Sequence, residues 1–146
     1  MEIAVLALGC FWGPEIKFGK LEGVVKTEVG YCGGNSDSTT YEKVCSGNTN
    51  HAEVVKLEFD PVKISYEKIL EYFFNIHDPT TLNAQGPDIG TQYRSEIFYL
   101  NDNQKNIAEK IIEENNSKLA GRVVTKLSPL KNYCKAEEYH QKYLDK

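Results

Sequence analysis

Six consecutive apolar residues, Ile3 to Leu8, stand near the start of the chain and end abruptly at Gly9. A short continuous apolar run is typical of a β-strand that is buried on both faces, because a half-exposed strand alternates apolar with polar residues. Pro14 then suits the first turn of a helix, where its missing N–H leaves no hydrogen bond unmade. The chain therefore begins with a buried strand, a turn that contains Cys10, and a helix.

The segments that follow predict an alternation of strands and helices. Residues 23–31 are rich in β-branched side chains and residues 51–59 alternate in polarity, so both predict strands. Ser65 suits the N-cap of an amphipathic helix, and residues 93–100 predict a fourth strand. Because this order matches the split βαβ pattern, we expect an α+β fold, a two-layer sandwich with a ferredoxin-like core.

The C-terminal part predicts additions to that core. Residues 102–121 predict a helix, residues 122–127 a strand, and residues 135–144 a last helix. Residues 77–92 contain two prolines and two glycines and predict a long loop. Loops of this length in compact domains are usually functional or disordered.

Composition excludes several classes of protein. The 146 residues are 40% apolar, which suffices for one core, so we expect a single domain over residues 1–146. A net charge of −4 without a basic stripe argues against a nucleic-acid partner. No segment approaches the roughly 18 apolar residues of a membrane helix, and residues 3–8 are too short for a signal peptide. We expect a soluble, cytoplasmic protein without a membrane partner.

The chain has four cysteines: Cys10, Cys32, Cys45 and Cys134. Their separation leaves no Cys-x-x-Cys pair for a thioredoxin-like centre or a zinc knuckle. The three histidines, His51, His77 and His140, are not spaced as ligands with any of them. We therefore predict no metal and no cofactor, and a structural role for the histidines.

Two residues stand out chemically. Cys10 precedes a predicted helix, whose positive end lowers the pKa of a thiol by stabilising the thiolate. Glu53 shares a strand face with apolar residues, where burial raises the pKa of a carboxyl. Each also has a plainer interpretation, since most unpaired cysteines are small buried apolar residues and most strand glutamates are salt-bridge partners. Phe11 and Trp12 beside Cys10 suit either a pocket wall or the core.

The segment GCFWG, residues 9–13, resembles the nucleophile motif of the A-type peptide methionine-(S)-sulfoxide reductases. Residues 40–55, 64–70, 77–99 and 136–144 are similar to further blocks of that family, in the family's order. The resemblance implies a repair enzyme that reduces methionine S-sulfoxide, free or in oxidised proteins, to methionine. It implies that Cys10 is the nucleophile and is left as a sulfenic acid.

The resemblance also implies roles for the residues around the nucleophile. Phe11 and Trp12 correspond to the wall that receives the methyl group of the substrate, and Glu53 to the carboxyl that protonates the sulfoxide oxygen. Tyr41 and Tyr93 correspond to the two phenols that hold this oxygen.

One further acid is implied to bind the substrate. Asp88 corresponds to the acid that positions the substrate backbone. It also lies in a turn rich in glycine and proline, where aspartate is common for local reasons.

Regeneration of the thiol is where the sequence departs from many family members, which carry cysteines in a C-terminal tail. The chain ends at Lys146, so we expect an external thiol, such as thioredoxin or glutaredoxin, to reduce the sulfenic acid. Cys134 and Cys32 are the candidates for an internal resolving cysteine, if their Cα atoms approach that of Cys10 to within about 7 Å. Cys45 is expected to be a packed thiol.

Other functions remain open from the residues alone. A thiol peroxidase or another enzyme with a cysteine nucleophile would also use Cys10, and a hydrolase would require a histidine base in reach of Cys10, for which His51 is a candidate. A binding module could recognise oxidised methionine through Phe11 and Trp12 without turning it over.

Overall fold

A six-stranded sheet forms the centre of the computed structural model, which describes residues 1–36 and 38–145. Its six strands are β1 (Glu2–Leu8), β2 (Val24–Cys32), β3 (Ala52–Phe59), β6 (Ser95–Tyr99), β7 (Lys126–Pro129) and β8 (Cys134–Lys135). A separate hairpin pairs β4 (Ala84–Gln85) with β5 (Asp88–Ile89). The helices are α1 (Trp12–Gly19), α2 (Tyr41–Cys45), α3 (Tyr66–Asn75) and α4 (Asp102–Lys118). Short 3-10 turns span Thr91–Tyr93, Glu138–His140 and Tyr143–Asp145.

The strand order is β7-β6-β1-β3-β2-β8. β1 lies in the middle and pairs antiparallel with β3 on one side and with β6 on the other, whereas β6 and β7 are parallel. This central position explains the apolar run, since Ala4 to Leu8 are buried on both faces of the sheet. The prediction of a mixed α/β chain that begins with a buried strand is confirmed.

Two apolar clusters cover the two faces of the sheet. The larger cluster joins Leu6 and Leu57 of the sheet to Phe18, Phe73 and other residues of the helices. The smaller cluster, on the opposite face, contains Val5, Ala7, Cys32, Ala52, Val54 and Phe98. Since side chains alternate along a strand, Glu53 of β3 faces the larger cluster, on the helical side of the sheet.

The C-terminal segment differs from its prediction. Instead of one helix over residues 135–144, it forms two 3-10 turns, and Lys142 between them has a positive φ of 50°. The reason is that its polar groups bind other elements: the Gln141 amide pairs with the N–H and C=O of Val29, and the Lys142 N–H donates to Glu15. These long-range hydrogen bonds replace helical ones.

Other predicted boundaries also shift. The strand predicted over residues 122–127 begins only at Lys126 and extends to Pro129. Helix α2 lies in a segment for which the sequence predicts no element, and the β4–β5 hairpin lies in the predicted loop of residues 77–92, because elements this short carry no measurable periodicity. Among the described residues no helix is long and apolar enough to cross a membrane.

Gly30 provides a test of how the C-terminal segment is attached. A Cβ atom added there would lie 2.7 Å from the Cys134 carbonyl oxygen of β8 and 2.7 Å from the Tyr133 hydroxyl. We expect Gly30→Ala to lower the free energy of unfolding by about 1–3 kcal/mol, measured by urea titration. Gly13→Ala is the control, because its added Cβ would meet no atom within 4 Å apart from its chain neighbours and the backbone of its own helix. Equal stability of the two variants would contradict the attachment.

Candidate active site

The turn between β1 and α1 carries Cys10 and is shaped by its contact with the β4–β5 hairpin. Gly9 has a φ of 100°, which favours glycine, and an added Cβ would lie 2.8 Å from the side chain of Gln85. Cys10, the next residue, is half-buried. The thiol therefore lies at the end of the central strand, at the edge of the core.

The electrostatic environment of Cys10 differs from the sequence prediction. Burial raises the pKa of the Cys10 thiol to about 11, and the charges of Glu53, Asp88 and Cys45 act in the same direction. The hydrogen bond of the Trp12 backbone N–H lowers this pKa, as expected at a helix start, but the effect of burial is larger. In this structure Cys10 is thus a neutral thiol at pH 7.

Glu53 is a buried acid close to Cys10. Its side chain is 1% exposed, and its Oε1 accepts a hydrogen bond of 3.2 Å from the backbone N–H of Phe11, the residue after Cys10. The other oxygen, Oε2, is buried and has no hydrogen-bond partner among the described residues. Burial raises the pKa of this carboxyl to about 8, the direction that the sequence predicts. At neutral pH the Glu53 carboxyl is therefore mostly protonated, and its Oε2 has an unused hydrogen-bonding capacity within the described chain.

Two tyrosines, Tyr41 and Tyr93, lie near enough to Glu53 for its charge to act on their hydroxyls. Tyr41 is the first residue of α2, and its ring packs 4.4 Å from that of His140. Tyr93 ends a 3-10 turn, and burial together with the charge of Glu53 raises its pKa to about 12. The pKa of Tyr41 is also raised, chiefly by burial. Both hydroxyls are therefore neutral hydrogen-bond donors.

The two aromatic residues after Cys10 have different environments. Phe11 is 1% exposed and packs in the core against Tyr31, at 5.8 Å between ring centroids. Trp12 is only partly buried, and its indole N–H donates to His140 Nδ1 at 3.0 Å. Its ring stacks on Tyr143 at 4.0 Å. Phe11 is thus a core residue at the base of the site, and Trp12 a wall at its rim.

His140 and Tyr143 are site residues that reasoning from single residues missed. Both belong to the C-terminal segment, and the resemblance of residues 136–144 to a family block is the signal that could have identified them. His140 also packs against Phe11, with 5.3 Å between the ring centroids. The C-terminal segment therefore forms one side of the site.

Asp88 lies on β5, in the hairpin above Gly9. Its side chain is half-buried, and its negative charge raises the pKa values of Cys10, Glu53 and Tyr93. The hairpin thus brings a carboxylate to the site from a segment remote in sequence.

The remaining cysteines occupy three different environments. Cys32 is buried in the smaller cluster, on the sheet face opposite to Glu53, and its thiol donates to the Lys131 carbonyl at 3.3 Å. Cys134 is half-buried on β8, and its thiol donates to the Thr39 carbonyl at 3.8 Å. Cys45 is exposed at the end of α2, so the prediction of a packed thiol is wrong.

His51 is engaged on both ring nitrogens. Nδ1 accepts the N–H of Gly34 at 3.2 Å, and Nε2 lies 2.7 Å from the Ser36 carbonyl oxygen. A general base for hydrolysis needs a free ring nitrogen, so this arrangement argues against His51 in that role. In the described ranges no group of three or more histidine, cysteine, aspartate or glutamate side chains could hold a metal ion.

Comparisons with known proteins agree on one family. The sequence model described as peptide methionine sulfoxide reductase matches residues 2–146. A protein of Pelagibacter ubique named peptide methionine sulfoxide reductase MsrA is 76% identical, over 100% of this chain and 99% of that protein. The solved structure of methionine sulfoxide reductase A of Corynebacterium diphtheriae is 38% identical, with a TM-score of 0.95, and the match covers 99% of this chain and 74% of that one.

A third comparison concerns a complex. Mxr1 from Saccharomyces cerevisiae, solved in complex with Trx2, is 30% identical to this chain, with a TM-score of 0.68. The match covers 97% of this chain and 84% of that one.

The environment of Cys10 predicts its reactivity toward alkylation. Because the thiolate is the reactive form and the pKa is about 11, we expect alkylation of Cys10 by iodoacetamide to be slow at pH 7. Its rate should rise about tenfold per pH unit up to that pKa. Peptide mass spectrometry measures this rate, with the exposed Cys45 of the same chain as reference. Half-maximal reactivity of Cys10 near pH 7 would contradict the buried neutral thiol.

Proposed function

Since the chain belongs to the peptide methionine sulfoxide reductase family and reduces methionine sulfoxide at the expense of thiols, we propose that Cys10 is its nucleophile and Glu53 its proton donor. The proposed substrate is the S epimer of methionine sulfoxide, free or in oxidised proteins. The role of the enzyme is repair of oxidative damage, which we place in the cytoplasm.

The observation that carries this proposal is the state of Glu53. A sulfoxide sulfur is a poor electrophile until its oxygen is protonated or strongly hydrogen-bonded, so the reaction needs an acid that is neutral near pH 7. Glu53 meets this need, with a pKa of about 8 and a buried Oε2 that lacks a partner in the described chain. Its Oε1 is tied to Phe11 N–H, which keeps the carboxyl beside Cys10.

The proposed chemistry transfers one oxygen atom from the substrate to Cys10. Glu53 gives its proton to the sulfoxide oxygen while the sulfur of Cys10 attacks the substrate sulfur, and Glu53 regains the proton that the thiol releases. The substrate sulfur is reduced by two electrons and leaves as methionine. Cys10 is oxidised by two electrons and becomes a sulfenic acid.

The neighbouring side chains fit the three parts of the substrate. Tyr41 and Tyr93 present neutral hydroxyls that suit the sulfoxide oxygen, which gains negative charge until it is protonated. Trp12, with Phe11 beneath it, offers an apolar wall for the methyl group. Asp88 at the rim suits a backbone N–H of the substrate.

A thiol reductant completes the cycle by reducing the sulfenic acid. The first thiol condenses with it to a mixed disulfide and water, and a second thiol reduces that disulfide and restores Cys10. We propose that both thiols come from an external protein of the thioredoxin or glutaredoxin kind. The position of Cys32 on the opposite sheet face supports this, and Cys134 remains the other internal candidate.

We further propose that the core is of the ferredoxin-like, split βαβ type, within a single domain of residues 1–146. The order β6-β1-β3-β2 and the antiparallel pairing within it support this classification. It puts Cys10, at the end of β1, beside the start of β3 where Glu53 lies.

Replacing the acid tests its role. We expect Glu53→Gln to lower kcat/KM for methionine S-sulfoxide about 10²- to 10⁴-fold, because glutamine is neutral but donates no proton. In the unmodified enzyme, activity should fall as the pH rises through about 8, where the carboxyl loses its proton. Glu58→Gln, on the same strand, is the matched control and should leave activity unchanged. Full activity of Glu53→Gln would overturn the assignment, as full activity of Cys10→Ser would for the nucleophile.

A thiol count tests the reductant. After one equivalent of methionine S-sulfoxide and no added thiol, we expect mass spectrometry to show the loss of one free thiol per chain, at Cys10. The R epimer is the control and should consume none. Loss of two thiols, with a disulfide between Cys10 and another cysteine, would refute the external cycle, and peptide mapping would identify the resolving residue.

A further inference from the structure

Glu137, in the C-terminal segment, forms hydrogen bonds to two tyrosines, Tyr31 and Tyr41. Its Oε1 accepts the Tyr31 hydroxyl at 2.8 Å, and its Oε2 accepts the backbone N–H of Tyr41 at 3.0 Å. These partners are 106 and 96 residues away in sequence. One carboxylate therefore joins strand β2 and helix α2 beside the candidate site.

The bond to Tyr41 satisfies a donor that the helix itself leaves open. The first N–H groups of an α-helix have no intrahelical acceptor, and Tyr41 is the first residue of α2. Burial alone would raise the pKa of the Glu137 carboxyl. Hydrogen bonds from Tyr41, from its own backbone N–H and from Tyr31, together with the charge of His140, outweigh burial and hold that pKa below its usual value. The bridge is thus charge-assisted, and such hydrogen bonds are shorter and stronger than neutral ones.

The bond to Tyr31 ties this bridge to the rigid part of the fold. Tyr31 is fully buried, and in the sheet it pairs directly with Glu53 of β3. Helix α2, in contrast, has only five residues, of which Val44 is buried. A helix this short draws little stability from its own hydrogen bonds, so its position depends on bonds from outside.

We propose that Glu137 is a positioning residue for the sulfoxide-oxygen site, because it sets where the Tyr41 hydroxyl lies relative to Glu53 and Cys10. The proposal rests on the proposed function, in which the Tyr41 phenol holds the sulfoxide oxygen. Glu137 itself touches no reacting atom. It acts by fixing the first turn of α2 to the strand that pairs with Glu53.

A double-mutant cycle tests this coupling. We expect Glu137→Ala and Tyr41→Phe each to lower kcat on methionine S-sulfoxide, on the order of tenfold. If Glu137 acts through the Tyr41 hydroxyl, the double variant should be no slower than Tyr41→Phe alone. A merely structural role predicts that the two losses multiply to about a hundredfold, and this result would overturn the proposal.

Conservative variants keep the test decisive. Glu137→Gln should recover most of the activity, because its amide oxygen can accept the Tyr41 N–H while its NH2 group donates to the Tyr31 oxygen. If Glu137→Ala does not fold, as judged by circular dichroism, the cycle is repeated with Glu137→Asp, which keeps the charge but withdraws both oxygens by one methylene. Unchanged kcat in Glu137→Asp would then overturn the proposal.

The failure of the proposal can be told apart from failure of the proposed function. If the unmodified enzyme releases no methionine, the proposed function fails and the inference falls with it. If Tyr41→Phe is slow while Glu137→Ala is as fast as the unmodified enzyme, the function stands and the role of Glu137 is refuted.

Discussion

The burial of the Glu53 carboxyl is the constraint around which the site is organised. A carboxyl on the buried face of a central strand loses its hydration, and it keeps its proton because the charged form is penalised more than the neutral one. The one hydrogen bond that the carboxyl receives from the described chain comes from the Phe11 N–H. Phe11 follows the turn in which Gly9 contacts Gln85 of the β4–β5 hairpin. The same turn carries the thiol, so one segment of backbone both binds the Glu53 carboxyl and carries Cys10.

This shared burial acts on both groups in the same direction. It raises the pKa of Glu53, which suits a proton donor, and it also raises the pKa of Cys10, which does not suit a stored thiolate. At neutral pH the Cys10 thiol and the Glu53 carboxyl are therefore both uncharged. In the proposed mechanism, proton transfer from the thiol is linked to substrate binding, since the bound sulfoxide supplies the oxygen that takes the proton of Glu53.

The sequence predicts the parts of this arrangement that depend on local pattern. The run before Gly9 and the alternation around Glu53 indicate a central strand and a buried acid, and both are present. The local pattern does not show which residues that are remote in sequence come into contact. The pKa of Cys10 depends on burial and on the charges of Glu53 and Asp88, which are remote in sequence. The C-terminal segment gives up its helical pattern because Gln141 and His140 bind Val29 and Trp12.

The pairing of Gln141 with Val29 has a consequence for the behaviour of the protein in concentrated solution. Strand β8 pairs with Gly30 and Tyr31 of β2, and just beyond it the Ala136 N–H donates to the Val29 carbonyl at 3.0 Å. The Gln141 amide accepts the Val29 N–H and donates to its C=O, both at 2.9 Å, as a neighbouring strand would. A side chain thus occupies the hydrogen-bonding groups of Val29, which are then not open to strand addition from another molecule, the first step of β-aggregation.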